Sequence, residues 1–447
     1  MTTTSDAIKK LISYRKLIFI VLAAAYLFVY FHRLSLSVVA NDLVEEFDTT
    51  ASVIGLLGSI YFYCYALMQI PAGLLSDSLG PRKVVTASLL VAAIGSIFFG
   101  LAPNIPMAFI GRVLVGVGVS VVFIPTMKIL SQWYRANEFA SMTGILNAIG
   151  GIGVLTATLP LALMTTRFGW RLSFELIGLM TLVILALSWL IVRDSPEKKG
   201  FKSLAELDQN VPSSESPTER IPLWAGMRKV FKEKYFWPLA IWFFLDCGIF
   251  FGFGGLWGGP YLMDVYGLEK AEVGAILSMI AWGMIIGSPI VGFVSDKVLK
   301  SRKKVFMICT TGLVAIMALL NVFPSGLPKS VLYLIIFIFA VCSSAIVIIG
   351  FTASKELFPV SMAGTSVGAV NLFPFLGGAV YMPLLGWVLD LYPKTAAGVY
   401  SFEAYSKMLL VLLVTSVLAL LCTFLMKETL GDRSKITSHN QSPKVLK

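Results

Sequence analysis

Apolar runs of membrane-spanning length recur along the whole chain, and nothing else in the sequence constrains its fold so tightly. "LIFIVLAAAYLFVYF", "VLYLIIFIFAVCSSAIVIIG" and "MLLVLLVTSVLALLCTFLM" each approach or reach the roughly 20 residues that cross a bilayer as a helix. In hydrocarbon, backbone N–H and C=O groups must find partners within the protein, which a helix supplies inside one segment. The repeated runs therefore predict an all-α polytopic membrane protein. Composition removes the soluble alternative. The chain is 57% hydrophobic and 14% charged, with mean hydropathy +0.82, whereas soluble domains carry about 25% charged residues.

Hydropathy read against the charged breaks predicts twelve spans, near 17–40, 52–75, 84–103, 107–131, 138–163, 170–192, 236–260, 271–294, 303–323, 330–353, 363–390 and 403–426. Between the sixth and seventh lies "RDSPEKKGFKSLAELDQNVPSSESPTERIPLWAGMRKVFKEKY", polar and rich in Ser and Pro, as a linker is. The expected organisation is an N-terminal half at 1–192, a linker at 193–235, a C-terminal half at 236–426 and a tail at 427–447. "MTTTSDAIKKLISYRK" runs straight into the first span with no small-residue cleavage site after it, so that span is expected to be an uncleaved helix. Cys64, Cys247, Cys309, Cys342 and Cys422 all lie in apolar segments at unrelated spacings. They suggest buried hydrophobes, not a disulfide framework or a metal site.

The net charge of +11 has a topological explanation. Of the Lys and Arg residues, only Arg167, Arg171, Lys270, Lys329, Lys394 and Lys407 fall in loops on one side, and Arg33 and Arg112 lie within spans. All the others fall in the termini and the loops of the opposite side, which the positive-inside rule places in the cytoplasm with the linker. No nucleic-acid partner is needed to explain the basic balance.

The two halves also repeat. "GLLSDSLGPRKV" follows the second span and "GFVSDKVLKSRKKV" the eighth, setting Asp77 and Asp296 in matching places. "GILNAIGG" in the fifth span and "GAVNLFPFLGG" in the eleventh likewise pair Asn147 with Asn371. Two pseudo-symmetric six-helix halves with a site at their interface form a transporter architecture. Within the first loop, Gly73 would let two helices approach closely. Asp77 can cap a helix or pair with a base, Gly80 allows a tight turn, and Arg82 and Lys83 suit anionic lipid headgroups.

This loop resembles the signature motif of the major facilitator superfamily, and the resemblance covers nearly the whole chain. "GRVLVGVGVS" in the fourth span, with Arg112, Gly116 and Gly118, is similar to the superfamily's second motif. The second loop lacks the later glycine. "GILNAIGGIGVLTATLP" lacks the Gly-Pro signature of proton-driven drug antiporters, which disfavours drug efflux. Within the superfamily the chain most resembles the anion:cation symporters of the sugar-acid type and the organophosphate:phosphate antiporters. In both, a first-span arginine precedes an "LVEEF"-like exit by ten residues, as Arg33 precedes Leu43. Tyr65, twelve residues before Asp77, and Lys128, five before Trp133, stand where those families carry a tyrosine and a base. Asn371 matches an asparagine that contacts substrate in the sugar-acid symporters. The resemblance implies a cavity where Arg33, Tyr65, Lys128 and Asn371 meet an anionic substrate, and Asn147, the counterpart of Asn371 in the repeat, is expected to join them.

The chemistry of these residues agrees. Guanidinium forks bidentately onto carboxylate or phosphate, more strongly at low dielectric. Tyrosine and asparagine recognise hydroxyls. The competing assignment for Arg33 is an internal pair with Asp246 or Glu356, and for Lys128 a place at the cytoplasmic rim. The second arginine of the organophosphate antiporters is absent, Phe251 standing in its place, and His32 replaces the aspartate that sugar-acid symporters carry beside the first-span arginine. A small carboxylate is thus expected before a sugar phosphate, with an amino acid as an alternative.

For proton coupling the titratable candidates are His32 and Asp246; His32 could instead hydrogen-bond between helices, and Asp246 must be protonated or paired. Gly73, Asp77, Arg82, Arg112 and Asp296 are expected to gate or to brace the structure. No nucleophile–base set, metal constellation or ATP-binding loop appears, so neither an enzyme nor a primary pump is expected, and no cofactor. The expectation is a monomeric proton-coupled importer of a small organic anion in the cytoplasmic membrane, in contact with lipid. A drug or metabolite exporter and a non-transporting ligand sensor are the alternatives.

Overall fold

The computed structural model describes residues 4–201, 223–359, 362–395 and 398–430. Among them every regular element is helical, apart from one isolated bridge between Lys394 and Tyr400. Eleven helical runs are long and apolar enough to cross a membrane. One of them, Ser141–Ile191, is 51 residues long, more than twice what a bilayer core of about 30 Å needs at 1.5 Å per residue. It divides at Gly169, whose φ of 74° and ψ of 162° leave the helical region, and a glycine meets that φ without a Cβ penalty. Two spans therefore occupy this run, which gives the expected twelve. The turn lies a few residues beyond the expected end of the fifth span, because no charge breaks the helix before Arg167.

The first helix also departs from its expected bounds. It runs Thr4–Leu34, breaks for one residue, and resumes as Leu36–Glu46. At the break, Ser35 donates its hydroxyl to the His32 carbonyl (3.4 Å) and Ser37 to that of Leu34 (2.8 Å). Such back-bonding competes with the helical ladder and bends it. The bend falls immediately after Arg33.

The helices form two compact units. The first comprises Met1–Ser216, Phe251–Ala281 and Ala379–Ala404. In it, the third span (Pro81–Gly100) packs backbone to backbone on the fourth (Ile105–Trp133), since a Cβ at Gly95 or Gly118 would strike main-chain atoms of the other helix. A Cβ at Gly73, by contrast, would meet nothing within 4 Å, so the close approach expected there occurs instead at these glycines. The second unit comprises Pro217–Phe250, Trp282–Gly378 and Tyr405–Lys447. Buried Trp242 donates to the Thr310 hydroxyl (2.9 Å), and Phe250 stacks on Phe339 at 5.9 Å.

Among the described residues three helices contain π-helical stretches, at Phe250–Trp257, Val294–Val298 and Val341–Ala345. Such turns add a residue to the helical repeat and redirect side chains, often at functional positions. Here they coincide with the glycine-rich seventh span, the Asp296 loop and Ser343.

Candidate functional site

In the first span Tyr26, Tyr30 and Arg33 recur at i, i+4 and i+7, so they share one helix face. That face builds an aromatic cradle within the first unit. The Arg33 guanidinium carbon lies 4.5 Å from the ring centroid of Tyr30, 5.2 Å from Tyr65 and 5.9 Å from Phe251. Tyr61 and Tyr65, one turn apart in the second span, stack at 6.0 Å, and Tyr61 donates to the Val29 carbonyl (3.0 Å). Tyr26 donates to Asn147 Oδ1 at 3.3 Å. Span five comes close enough because Gly150 faces the Tyr30 ring, which a Cβ would approach to 2.9 Å. A cation over such faces gains roughly 0.5–2 kcal/mol per contact. Stacking occupies the flat faces of a guanidinium, whereas recognition of a carboxylate uses its edge.

The structure thus brings Arg33, Tyr65 and Asn147 into one cluster, with Tyr26, Tyr30 and Phe251 added. The periodicity of Tyr26, Tyr30 and Arg33 was the signal that could have found the first two. Lys128 is held elsewhere: its ammonium donates to Asp77 Oδ1 (2.6 Å) and to the Ser76 carbonyl (3.1 Å). Arg82 stacks on Trp189 at 4.4 Å and donates to that residue's carbonyl, while its amide donates to Asp194 Oδ1 (2.7 Å).

His32, one residue from Arg33, points off the cradle's face and packs against Phe28 and Phe31. Neither ring nitrogen has a hydrogen-bond partner among the described residues. Arg112 is only 1% exposed and donates through Nη2 to the His32 carbonyl (3.4 Å), with Tyr61 and Phe99 each 5.9 Å from its guanidinium carbon. Arg112 is thus buried among aromatic rings beside the first span.

The remaining candidates belong to the second unit. Asp246 is fully buried and accepts from the Ser343 hydroxyl at 3.0 Å, while its Oδ1 has no hydrogen-bond partner among the described residues. Ser343 lies on the π-helical stretch of the tenth span, and no sequence signal marked it as a partner. Asn371 is half-buried in the helix Ala363–Asp390. Asp296 pairs with Arg302, which also pairs with Glu356 at 3.2 Å.

A second polar assembly lies in the first unit, at the end of the spans opposite the linker. Asp42 pairs with Lys270 (2.6 Å), and Asn41 donates to Asp264 (2.7 Å). Burial raises the Asp42 carboxyl's pKa, against the opposing pull of Lys270. Asp390 caps the second span, accepting from the amides of Ala51 (2.9 Å) and Ser52 (2.8 Å), from the Ser52 hydroxyl and from Tyr400 (2.8 Å). Gly386 and Gly259 lie against the carbonyls of Ala51 and Ser37, leaving no room for a Cβ. Helices distant in sequence are thereby sealed together at this end.

The chain is similar to a hexuronate transporter of Bacillus subtilis (strain 168), 25% identical over 368 residues, covering 81% of this chain and 77% of that protein. It is also similar to the membrane sensor protein UhpC of Salmonella typhimurium, 24% identical over 392 residues, 84% of this chain and 85% of that one. Among solved structures, a bacterial homologue of the human lysosomal transporter Spinster shares the fold, with a TM-score of 0.76 at 18% identity over 92% of this chain and 96% of that one. A family model for the Major Facilitator Superfamily matches residues 19–382 and 253–446, and the chain, an integral membrane protein, belongs to that superfamily of transporters.

Proposed function

We propose that this protein is a secondary active transporter that moves a small organic anion of the carboxylate type by alternating access, coupled to protons. The observation that carries the reading is the Arg33 cradle, a half-buried guanidinium stacked on Tyr30 and Tyr65 with Asn147 joined through Tyr26. Arg33 anchors the carboxylate, Tyr65 orients it, and Asn147 reads hydroxyl groups; Asn371 is assigned the same role from its own unit. Lys128, tied to Asp77, is the least supported member of the set. A relative named as a hexuronate transporter supports the acid class. Asp246 is the preferred proton carrier: ionising a buried carboxyl with one hydroxyl partner is costly, so its protonation would respond to any change in its surroundings during transport; His32 is the second choice. The charge distribution supports both termini and the linker in the cytoplasm, the bacterial relatives support the inner membrane, and the presence of both halves in one chain supports a monomer.

The test is ligand binding by thermal shift, followed by uptake into liposomes, for wild type, Arg33→Ala and Tyr65→Phe. A sugar acid or monocarboxylate should stabilise wild type, by about 2.7 kcal/mol at 100 times Kd. Arg33→Ala should bind roughly 10- to 100-fold more weakly, the worth of a charged hydrogen bond. If only cationic or neutral compounds stabilise, equally in both proteins, the anion reading fails and a drug or metabolite exporter takes its place. The similarity to a protein named as a membrane sensor favours one further reading, a receptor that binds the same acid without moving it. Binding with no uptake would establish that instead.

A further inference from the structure

At the linker end of the first unit, a shallow cleft of about 450 Å³ is lined by Lys9, Lys10, Ser13, Tyr14, Leu17 and Phe201. Its chemistry changes along one helix face. Lys9, Ser13, Lys16, Leu17 and Ile20 follow the i, i+4, i+7, i+8, i+11 spacing of a single stripe. The stripe begins with exposed ammonium groups and ends in exposed aliphatic ones, Leu17 being 41% and Ile20 61% exposed. The far wall is rigid. Tyr14 donates to the Ile191 carbonyl (2.5 Å) and packs against Trp133 at 5.6 Å and Phe201 at 5.9 Å. Lys199 reaches over the Tyr14 ring at 5.2 Å, adding a third cation. Of the nearby acids whose side chains are described, Asp194 is already bound by Lys198 and Glu138 by Arg15, leaving Glu197 on the Lys199 turn.

We propose that this cleft is a binding site for an anionic phospholipid, the headgroup phosphate lying between Lys9, Lys10 and Lys199 and an acyl chain running over Leu17 and Ile20. A soluble anion would use the cations but has no use for the aliphatic half of the stripe. A zwitterionic lipid would use the aliphatic half but gain less from a cluster of three cations. Only an anionic lipid matches both, at the level where the helix passes from headgroups into hydrocarbon. The site is independent of the Arg33 cradle and of any reading of transport.

The experiment titrates phosphatidylglycerol, phosphatidylcholine and inorganic phosphate against the full chain in delipidated detergent, read by melting temperature and by native mass spectrometry of retained lipid. Wild type should retain phosphatidylglycerol in preference to phosphatidylcholine. Lys9→Ala/Lys10→Ala should weaken that binding about tenfold or more, while Lys297→Ala/Lys355→Ala, an equal charge change at exposed lysines elsewhere, should leave it unaltered. Leu17→Ser/Ile20→Ser should weaken the lipid as well. Equal retention of the two lipids, or equal loss in both lysine variants, would overturn the site in favour of unspecific surface charge. Stabilisation by inorganic phosphate matching that by phosphatidylglycerol, insensitive to Leu17→Ser/Ile20→Ser, would reassign it to a soluble phosphate.

Discussion

In the first copy of the repeated loop, Asp77 receives one ion pair, from Lys128, and its side chain stays 75% exposed. In the second, Asp296 shares Arg302 with Glu356, and the Arg302 side chain is 8% exposed. The letters that produce this contrast differ by one insertion and by the replacement of Gly80-Pro81 with Lys300-Ser301. Gly80, Arg82 and Lys83 correspond to Lys300, Arg302 and Lys303, with one extra residue between Asp296 and Arg302. The extra residue is absorbed by the π-helical stretch Val294–Val298 and by Lys300, which adopts a φ of 46° where the first copy has Gly80 at 89°. As a result Arg302 turns back onto the aspartate, while Arg82 turns away to Trp189. What the copies keep is a carboxylate just past the last span of each half, capping the basic helix: Asp194 on the Arg82 amide and Glu428 on those of Arg302 and Lys303. The conserved element between halves is thus the cap, and the ion pair is what each half resolves for itself.

Arg302→Ala should break the comparison hardest. It removes the common partner of Asp296 and Glu356 together with a bond to Ser295 (2.8 Å), leaving two carboxylates side by side. Removing one partner of a buried pair costs about 3–5 kcal/mol, and the half-exposed Asp296 sets this case near the lower figure. Arg82→Ala, whose partners are a carbonyl and an exposed ring, should cost under about 1 kcal/mol. The denaturation midpoint in detergent reads both, and equal losses would show that the two loops are equivalent after all.

Substitution of the caps should give smaller and more even effects. Glu428→Gln and Asp194→Asn each weaken a helix-capping carboxylate, at about 1 kcal/mol. Burial alone would raise the Glu428 carboxyl, but the Ser301 hydroxyl and the amides of Arg302, Leu430 and Lys303 outweigh it and hold its pKa below the usual value. A depressed folded pKa contributes stability that is complete above the unfolded value, about 4.3, and is lost as pH falls through the folded one. Wild type should therefore lose stability on acidification below about pH 5 more steeply than Glu428→Gln. Parallel acid limbs in the two proteins would remove Glu428 from this role.

How much of this was legible in the sequence follows from the range of each interaction. The spans were, because apolar length is a local signal, and so was the shared face of Tyr61 and Tyr65, because i, i+4 neighbours meet in any helix. The matching of Asp77 with Asp296 was visible as letters, but their different partners were not. Lys128 lies 51 residues from Asp77 and Glu428 lies 126 from Arg302, and no pattern in one chain pairs charges over such separations. The π-helical stretches were hidden for another reason. They shift register without any signature residue, so Ser343 gave no sign that it would meet Asp246.

Lys128→Ala is expected to have the smallest effect on stability, and it discriminates most sharply between roles. The Lys128–Asp77 pair is exposed on both sides, at 37% and 75%, and exposed pairs are worth about 0–1 kcal/mol, less as salt rises. If the pair only braces the first loop, Lys128→Ala should shift the melting midpoint by no more than that, and uptake should fall no further than stability explains. A substrate role predicts a different dissociation of the two readouts. Stability would stay level while uptake fell tenfold or more, about 1.4 kcal/mol in binding or transition-state energy, and Asp77→Asn, by freeing the ammonium, would not lower uptake in parallel. The double variant separates the cases: a bracing pair gives non-additive effects on stability and none on uptake, whereas a lysine that leaves Asp77 for substrate gives the reverse.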